Sequence, residues 1–266
     1  MSFDFTISAY RHLLLSLQAA GYVFISFSDW CEGKADGLQK YILLRHDVDK
    51  NPYNALKIAE IEAAMGIRST FYWLTQKQVF KPSIIKEVAN LGHEIGYHYR
   101  DWVDAHGEPE QALELFQFNL HKMQAVAEIK TIAMDGCPWS KFNNRDLWKH
   151  YDYRSFGIIG EPYFDIFGVD KDAPVKRDVF YLTDTGRIWN GDKFSIRDKV
   201  ANNQILDYQT TYALIQAVVS DELPYKIMIT VHPQRWSDNA AEWLYEFITQ
   251  GIKNIVKGLL VKMKRR

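Results

Sequence analysis

Short apolar runs alternate along this chain with longer segments of helical periodicity, and this alternation limits the fold more than any other feature. The strand-like runs lie at residues 22–27, 41–44, 69–74, 93–97, 131–134, 153–159, 179–182 and 226–231. The helical segments lie at about 6–20, 51–65, 82–91, 110–128, 208–219 and from about 240 onward. Strands that alternate with helices are typical of a parallel sheet covered by helices. The sequence therefore predicts a parallel α/β fold.

The length and the lack of an internal repeat or linker favour a single domain over residues 1–266. A chain of this length with 47% apolar residues buries a large core without help from disulfides. Residues from about 135 to 205 are rich in Gly, Pro, Asp and aromatics, which predicts elaborated loops. The last segment, about 240–263, has the pattern of an amphipathic helix.

Charge and cysteine content exclude several classes of protein. The net charge is −1, from 32 Lys and Arg against 33 Asp and Glu, and so we expect no nucleic-acid partner. Cys31 and Cys137 form no CxxC pair and are interpreted as reduced thiols, with a single disulfide as the alternative. No signal peptide and no run of 18 apolar residues is recognisable. We expect a soluble, cytoplasmic protein.

Acidic residues and histidines stand at the ends of three predicted strands. Asp47 and Asp49 follow one strand, His98 follows another, and His232 ends the last. Because the carboxyl ends of parallel strands share one rim, we expect these four side chains to converge. One carboxylate of such a pair can hold a cation while the other acts as a base.

Each of these residues also has a purely structural interpretation. The two aspartates could cap the helix that begins at Asn51-Pro52, because Asp is a favoured N-cap residue. A single histidine such as His98 is more often structural than bound to metal. His232 follows a five-residue segment with four apolar residues and could be a hydrogen-bonded core histidine.

Four segments together carry a resemblance to a known family. They are Arg-His-Asp-Val-Asp at 45–49, Gly-His-Glu-Ile-Gly-Tyr-His at 92–98, Gly-Cys-Pro-Trp at 136–139 and Ile-Thr-Val-His at 229–232. In kind and order they resemble the motifs of NodB-type polysaccharide deacetylases, carbohydrate esterase family four. The resemblance implies a distorted (β/α) barrel of about seven parallel strands.

The same resemblance implies residue roles and a reaction. It implies Asp47 as catalytic base, Asp49 and His98 as ligands of a divalent metal, with zinc preferred, and His232 as general acid. The reaction would be metal-dependent removal of an N-acetyl group from a sugar. Residues 160–165 and 183–187 also resemble the branch of the superfamily found with bacterial O-antigen and other surface-polysaccharide biosynthesis proteins.

The chain departs from the family pattern at two positions. Trp102 stands where the family has a second metal-binding histidine, and tryptophan cannot ligate a metal. Asp101 or His106 is the candidate for the third ligand, and a water-completed or lost site is the alternative. The arginine of the family's third motif is absent as well, and Arg145 is the candidate to replace it.

Further residues are candidates for binding the substrate, which we expect to be an N-acetylated sugar, a nucleotide sugar or a lipid-linked glycan. Trp139, Tyr163 and Trp189 could stack on a sugar ring, and core packing is the alternative for each of them. Arg145 and Arg187 are candidates for an acidic substituent or phosphate.

Two other functions compete with the sugar deacetylase. A chain with an impaired site could bind a glycan or a partner protein, and the same machinery could hydrolyse a non-sugar amide. Independently, the apolar stripe of the helix at 240–263 and the basic residues at its end predict either packing on the body of the protein or peripheral contact with an anionic membrane.

Overall fold

The computed structural model describes residues 3–169, 178–190, 200 and 206–264, with side chains as far as residue 256. The strands are β1 (Val23–Ile25), β2 (Tyr41–Val48), β3 (Thr70–Trp73), β4 (Glu94–Tyr99), β5 (Ile129–Met134), β6 (Phe180–Thr183), β7 (Trp189–Asn190), β8 (Asp207–Tyr208) and β9 (Lys226–Val231). The helices are α1 (Ile7–Ala19), α2 (Phe27–Cys31), α3 (Pro52–Ala64), α4 (Pro82–Asn90), α5 (Asp101–Asp104), α6 (Pro109–Gln124), α7 (Pro162–Asp165), α8 (Thr211–Val219) and α9 (Ala240–Lys264). Short 3₁₀ helices cover Asn144–Lys149, Tyr153–Phe156 and Pro233–Arg235.

Seven parallel strands form one sheet in the order β5-β4-β3-β2-β9-β6, with β1 also paired to β2. The central strand β2 has three neighbours because β1 pairs with its first half and β3 with its second half. Strand β9 lies along its other side. Helices surround this sheet, and the predicted α/β fold of about seven parallel strands is confirmed.

Helix α3 is tied to the sheet by a buried carboxylate. Glu62 accepts hydrogen bonds from the hydroxyls of Tyr10 and Ser69 and lies 2.8 Å from Nε2 of His46. Successive side chains of a strand point to opposite faces, so with His46 turned toward α3 its neighbours Arg45 and Asp47 face the other side. Glu62 therefore helps to set the direction of the residues that form the candidate site.

One position in β4 has to be glycine. A Cβ at Gly96 would lie 2.3 Å from the ring of Tyr72, and no such contact is tolerated. The ring of Tyr72 occupies this space, and its hydroxyl is 3.0 Å from the hydroxyl of Thr131 in β5. This arrangement packs the face of the sheet that carries Asp47.

Two strands are longer than the apolar pattern predicts. Strand β2 continues from Leu44 to Val48 and β4 continues to Tyr99, so Arg45, Asp47 and His98 lie within strands. The polar side chains are tolerated there because they are paired with one another, as described below. Residues 153–159 were expected as a strand, but residues 153–156 form a 3₁₀ helix. Helix α2 has too few residues to show a periodicity, and the sequence does not predict it.

Three other expectations concern the whole chain. Cys31 and Cys137 form no disulfide, as expected. No helix among the described residues is long and apolar enough to cross a membrane. A single domain with elaborated loops at about 135–205 stays a prediction, and parts of that segment (170–177, 191–199 and 201–205) lie outside the described residues.

Candidate functional site

The register of the sheet brings the four predicted residues to one edge. Asp47 pairs with Tyr72 of β3, which pairs in turn with Gly96 of β4. Two residues further on, Asp49 and His98 therefore share the next row toward the carboxyl ends of the strands. On the other side of β2, His46 pairs with Val231, and so His232 follows beside Asp47.

Asp47 is held by a buried arginine two residues before it. Nε of Arg45 is 2.7 Å from Oδ1 of Asp47, and Nη2 is 2.9 Å from Oδ2. Both side chains point to the same face because i and i+2 residues of a strand share a face. Two parallel charge-assisted hydrogen bonds fix the carboxylate in position. The predicted alternative, an aspartate capping helix α3, is wrong, because the N-cap residue is Asn51 and no side chain caps that end.

Asp49 lies between the two imidazoles. Its Oδ1 is 3.5 Å from Nε2 of His98, and its Oδ2 is 3.9 Å from Nε2 of His232. Burial would raise the pKa of Asp49, but the two histidines outweigh this effect and lower it below the ordinary value. Burial disfavours the charged form of His98, yet the carboxylates of Asp47 and Asp49 raise its pKa to about 9.

His98 is oriented by the neighbouring strand. Its Nδ1 is 2.9 Å from the carbonyl oxygen of Ala133 in β5. A carbonyl can only accept, so Nδ1 carries a hydrogen and Nε2 is the nitrogen that faces Asp49. A backbone carbonyl behind the ring is the usual arrangement for a histidine that ligates a metal.

His232 is oriented by a buried carboxylate that the sequence did not single out. Oδ1 of Asp184 is 2.6 Å from Nδ1 of His232, and Oδ2 accepts from the backbone N–H of His232 and from Nε1 of Trp236, both at 2.9 Å. Arg235 also donates to Asp184. Burial would raise the pKa of Asp184, but Arg235 and His232 lower it to about 2. An ionised Asp184 therefore holds the ring of His232 with Nε2 facing Asp49.

The pair Asp49 and His98 fits a divalent metal. Oδ1 of Asp49 is buried and has no hydrogen bond to the described residues, although it faces the His98 nitrogen. Two ligand atoms that each lie about 2.1 Å from a tetrahedral zinc ion are about 3.4 Å from each other. The distance between Oδ1 of Asp49 and Nε2 of His98, 3.5 Å, matches this value. One carboxylate oxygen and one imidazole nitrogen are also ligands that zinc accepts.

The predicted third ligands do not join this pair. Both carboxylate oxygens of Asp101 accept from the hydroxyl of Tyr97, at 2.9 and 2.8 Å. Tyr97 precedes His98 in β4, so its side chain and Asp101 lie on the opposite face of the sheet. His106 packs beside the ring of Phe142. Among the described residues, no three His, Cys, Asp or Glu side chains form a metal-binding group.

Trp102, which stands in the place of the family's second histidine, is buried and stacks on the imidazole of His150. The ring centroids are 5.3 Å apart, with an interplanar angle of 19°. The space at this position is therefore filled by an aromatic pair.

The three predicted sugar-stacking aromatics have different surroundings. Trp139 follows β5 and is 57% exposed. Tyr163 is buried, and Trp189 is fully buried, with its Nε1 donating to Thr211. Core packing is therefore the role of Tyr163 and Trp189, and only Trp139 is open to a sugar ring.

The predicted binding arginines are both buried. The guanidinium of Arg145 lies 5.4 Å from the ring centroid of Tyr163, at the same distance as that of Arg45. Arg45, which the sequence did not single out, is the arginine that donates to Asp47. Arg187 donates to the carbonyl oxygens of Arg235 and Asp4, so it supports the fold there and does not face the site.

No family model and no curated protein matches the chain. Among solved structures it is similar to a CE4 family pseudoenzyme from Bacillus anthracis, with 13% identity and a TM-score of 0.44 over 80% of this chain and 60% of the other. It is similar to the Xyl-CE4 domain of a multidomain xylanase from the hindgut metagenome of Trinervitermes trinervoides, with 13% identity and a TM-score of 0.43 over 81% and 84%. A family 4 carbohydrate esterase from Bacillus anthracis matches with 14% identity and a TM-score of 0.38 over 94% and 88%.

These structural neighbours are CE4 carbohydrate esterase domains at low identity. The chain spans 60% of the length of the first of them. At 13–14% identity these neighbours assign no role to any residue of this chain, so its chemistry follows from its own side chains.

Proposed function

We propose that the chain is a metal-dependent hydrolase that removes an N-acetyl group from a sugar. One observation carries the proposal, namely that four side chains converge at a single edge of the sheet. They are Asp47, which Arg45 holds, the pair Asp49 and His98, and His232, which Asp184 orients. A base, a metal pair and an acid within one cluster are the groups that amide hydrolysis requires.

Asp49 and His98 would hold the metal. When bound there, a divalent ion would polarise the acetyl carbonyl and lower the pKa of water toward 7. Asp47 accepts the proton of the attacking water, since the two hydrogen bonds from Arg45 hold its carboxylate in place at the site. Oδ2 of Asp47 lies 3.9 Å from Nε2 of His98, and so the base is next to the proposed metal pair.

His232 would donate the second proton. The C–N bond breaks only if the departing sugar nitrogen leaves as an amine, which requires a proton from the enzyme. Asp184 at Nδ1 fixes the ring so that Nε2 faces Asp49 and the site. The side chain of His232 is 12% exposed, so a substrate can reach it.

We further propose that the substrate is a precursor of a bacterial surface polysaccharide such as O-antigen, nucleotide-linked or lipid-linked, processed in the cytoplasm. The support is the resemblance of residues 160–165 and 183–187 to that branch of the superfamily. The exposed Trp139, in the loop after β5, is the side chain available to stack on the sugar ring.

The test combines metal content with turnover. Purified protein is dialysed against zinc, and its metal content is measured after removal of free ion. Acetate release is then measured with N-acetylglucosamine, its oligosaccharides and its nucleotide-linked form. We expect about one zinc ion per chain and release from at least one of these sugars. A protein that holds zinc but turns over none of them, while hydrolysing a simple acetanilide, would be a non-sugar amidohydrolase instead.

A second candidate function is a non-catalytic glycan-binding protein. The observation that favours it is Trp102, whose stacking on His150 fills the place of a second metal-binding histidine. Binding of the same sugars without bound zinc and without acetate release would identify this function.

A further inference from the structure

Helix α9 is attached to the body of the protein by polar and aromatic contacts. Nε1 of Trp243 donates to the carbonyl of Asp4 at 2.6 Å, and Nδ2 of Asn254 donates to the carbonyl of Gly186 at 2.9 Å. Gln250 lies between them in the helix and is buried. The side of the helix that faces the protein therefore carries an indole and two amides.

The aliphatic side of the same helix faces outward. Four aliphatic side chains between 51% and 67% exposed share this side, namely Leu244, Ile248, Ile252 and Ile255. Their spacing of three and four residues places them on one face over three turns. A surface helix normally buries its apolar stripe against the core and turns its polar side to water. Here the orientation is reversed, and the apolar face has no cover among the described residues.

The charged residues that follow Glu246 in the sequence are all of one sign. After Glu246 the chain contains no acidic residue, whereas it contains six basic ones, namely Lys253, Lys257, Lys262, Lys264, Arg265 and Arg266. Since the whole chain has a net charge of −1, the rest of the molecule is acidic. An anionic surface would therefore repel the body of the protein and attract only this helix.

We propose that the outward face of α9 binds the surface of an anionic lipid bilayer, with the helix lying in the plane of the membrane. An exposed aliphatic face, followed along the chain by basic residues and no acidic one, is complementary to acyl chains and anionic headgroups together. A second copy of this chain fits the same face less well, because pairing would bring two basic segments into one interface. Asn254 contacts Gly186, which is two residues after Asp184 in the chain. The membrane-binding helix therefore lies at the edge of the candidate site.

The test uses the full-length protein and sucrose-loaded vesicles of phosphatidylcholine, with or without about 30% phosphatidylserine. The variant Ile252→Glu/Ile255→Glu places two charges on the proposed face. A control with the same change in net charge is Phe118→Glu/Val219→Glu, at two exposed positions outside α9. All four side chains are exposed, so none of these substitutions removes a core contact.

We expect the wild type and the control to sediment with the anionic vesicles and not with the neutral ones. The partition coefficient of Ile252→Glu/Ile255→Glu should fall at least about tenfold, since loss of one buried isoleucine alone accounts for such a factor. Binding should also weaken in 0.5 M salt. Equal sedimentation with both vesicle types, or unchanged binding of the variant, would overturn the proposal. A wild-type dimer in analytical ultracentrifugation that the variant abolishes would assign the face to a second copy and overturn it as well.

Discussion

The ion pair between Arg45 and Asp47 gives a quantitative prediction about the site. Its side chains are 2% and 9% exposed and share two hydrogen bonds of 2.7 and 2.9 Å. Arg45→Met keeps the apolar stem beside Tyr72 and Tyr163 but leaves the carboxylate buried without its partner. Loss of one partner from a buried pair costs about 3–5 kcal/mol of unfolding free energy.

The Arg45→Met/Asp47→Asn double variant removes both charges and should lose much less than the sum of the single variants. We expect a coupling energy of about 2 kcal/mol or more from the double-mutant cycle. Arg100 and Asp104 form a matched exposed pair, with a distance of 3.0 Å and side chains 31% and 39% exposed. The same cycle on this pair should give only about 0.3–0.5 kcal/mol.

Guanidinium unfolding followed by tryptophan fluorescence and far-UV circular dichroism measures all seven proteins in the two cycles. Equal m-values would show that the variants share one two-state transition. A coupling energy at Arg45 and Asp47 no larger than that of the exposed pair would refute the proposed buried clamp. Asp47 would then lack the support on which its role as a base depends.

Three further predictions address other parts of the site and its surroundings. Asp184→Asn removes the carboxylate that orients His232, so acetate release should fall about a thousandfold or more with little change in KM. A loss below tenfold would contradict this role of Asp184. His98→Ala should weaken zinc binding at least about a hundredfold in calorimetric titration, while the circular dichroism spectrum stays the same as that of the wild type. If the variant binds zinc as tightly as the wild type, the metal lies elsewhere. Burial raises the pKa of Glu161 from 4.5 to about 7, so the folded state retains a proton that the unfolded state loses between these pH values. Stability should therefore fall by up to about 3 kcal/mol as pH rises from 4.5 to 7, and Glu161→Gln should flatten this slope in unfolding measured across that range.

Much of the fold follows from local patterns in the sequence. Strand β9 has the predicted bounds because its apolar run ends abruptly at His232. Helix α3 begins at Pro52 and ends just before Gly66, as expected from a proline in the first turn and a glycine after the last. The convergence of Asp47, Asp49 and His98 follows from a topological rule, because parallel strands end at a common edge.

The contacts that orient these residues could not be predicted in the same way. Asp184 and His232 are 48 positions apart, and only the pairing of β6 with β9 brings them together. Arg45 is close in sequence to Asp47, but the pair shares a face only if β2 continues through polar residues, which an apolar run of four does not predict. The signal that could have revealed it is the i, i+2 spacing itself.

Burial was the other quantity that periodicity alone did not determine. The composition of the middle region predicts that its aromatic residues either bind a sugar or pack in the core. In the structure Trp139 is exposed, whereas Tyr163 and Trp189 are buried in the core. Similarly, the spacing in α9 defines an apolar stripe but not the direction in which it faces. That direction depends on the hydrogen bonds of Trp243 and Asn254 to distant backbone carbonyls.

The proposed reaction is tested most directly by comparing acetate release from N-acetylated sugars by zinc-loaded wild type and Asp47→Asn. Asparagine is nearly the same size as aspartate but cannot take a proton from water, and it leaves Asp49 and His98 unchanged. We predict that acetate release falls at least about a hundredfold while the zinc content per chain stays the same. Release by Asp47→Asn at the wild-type rate, with equal zinc content, would contradict the assignment of Asp47 as the base and the mechanism built on it.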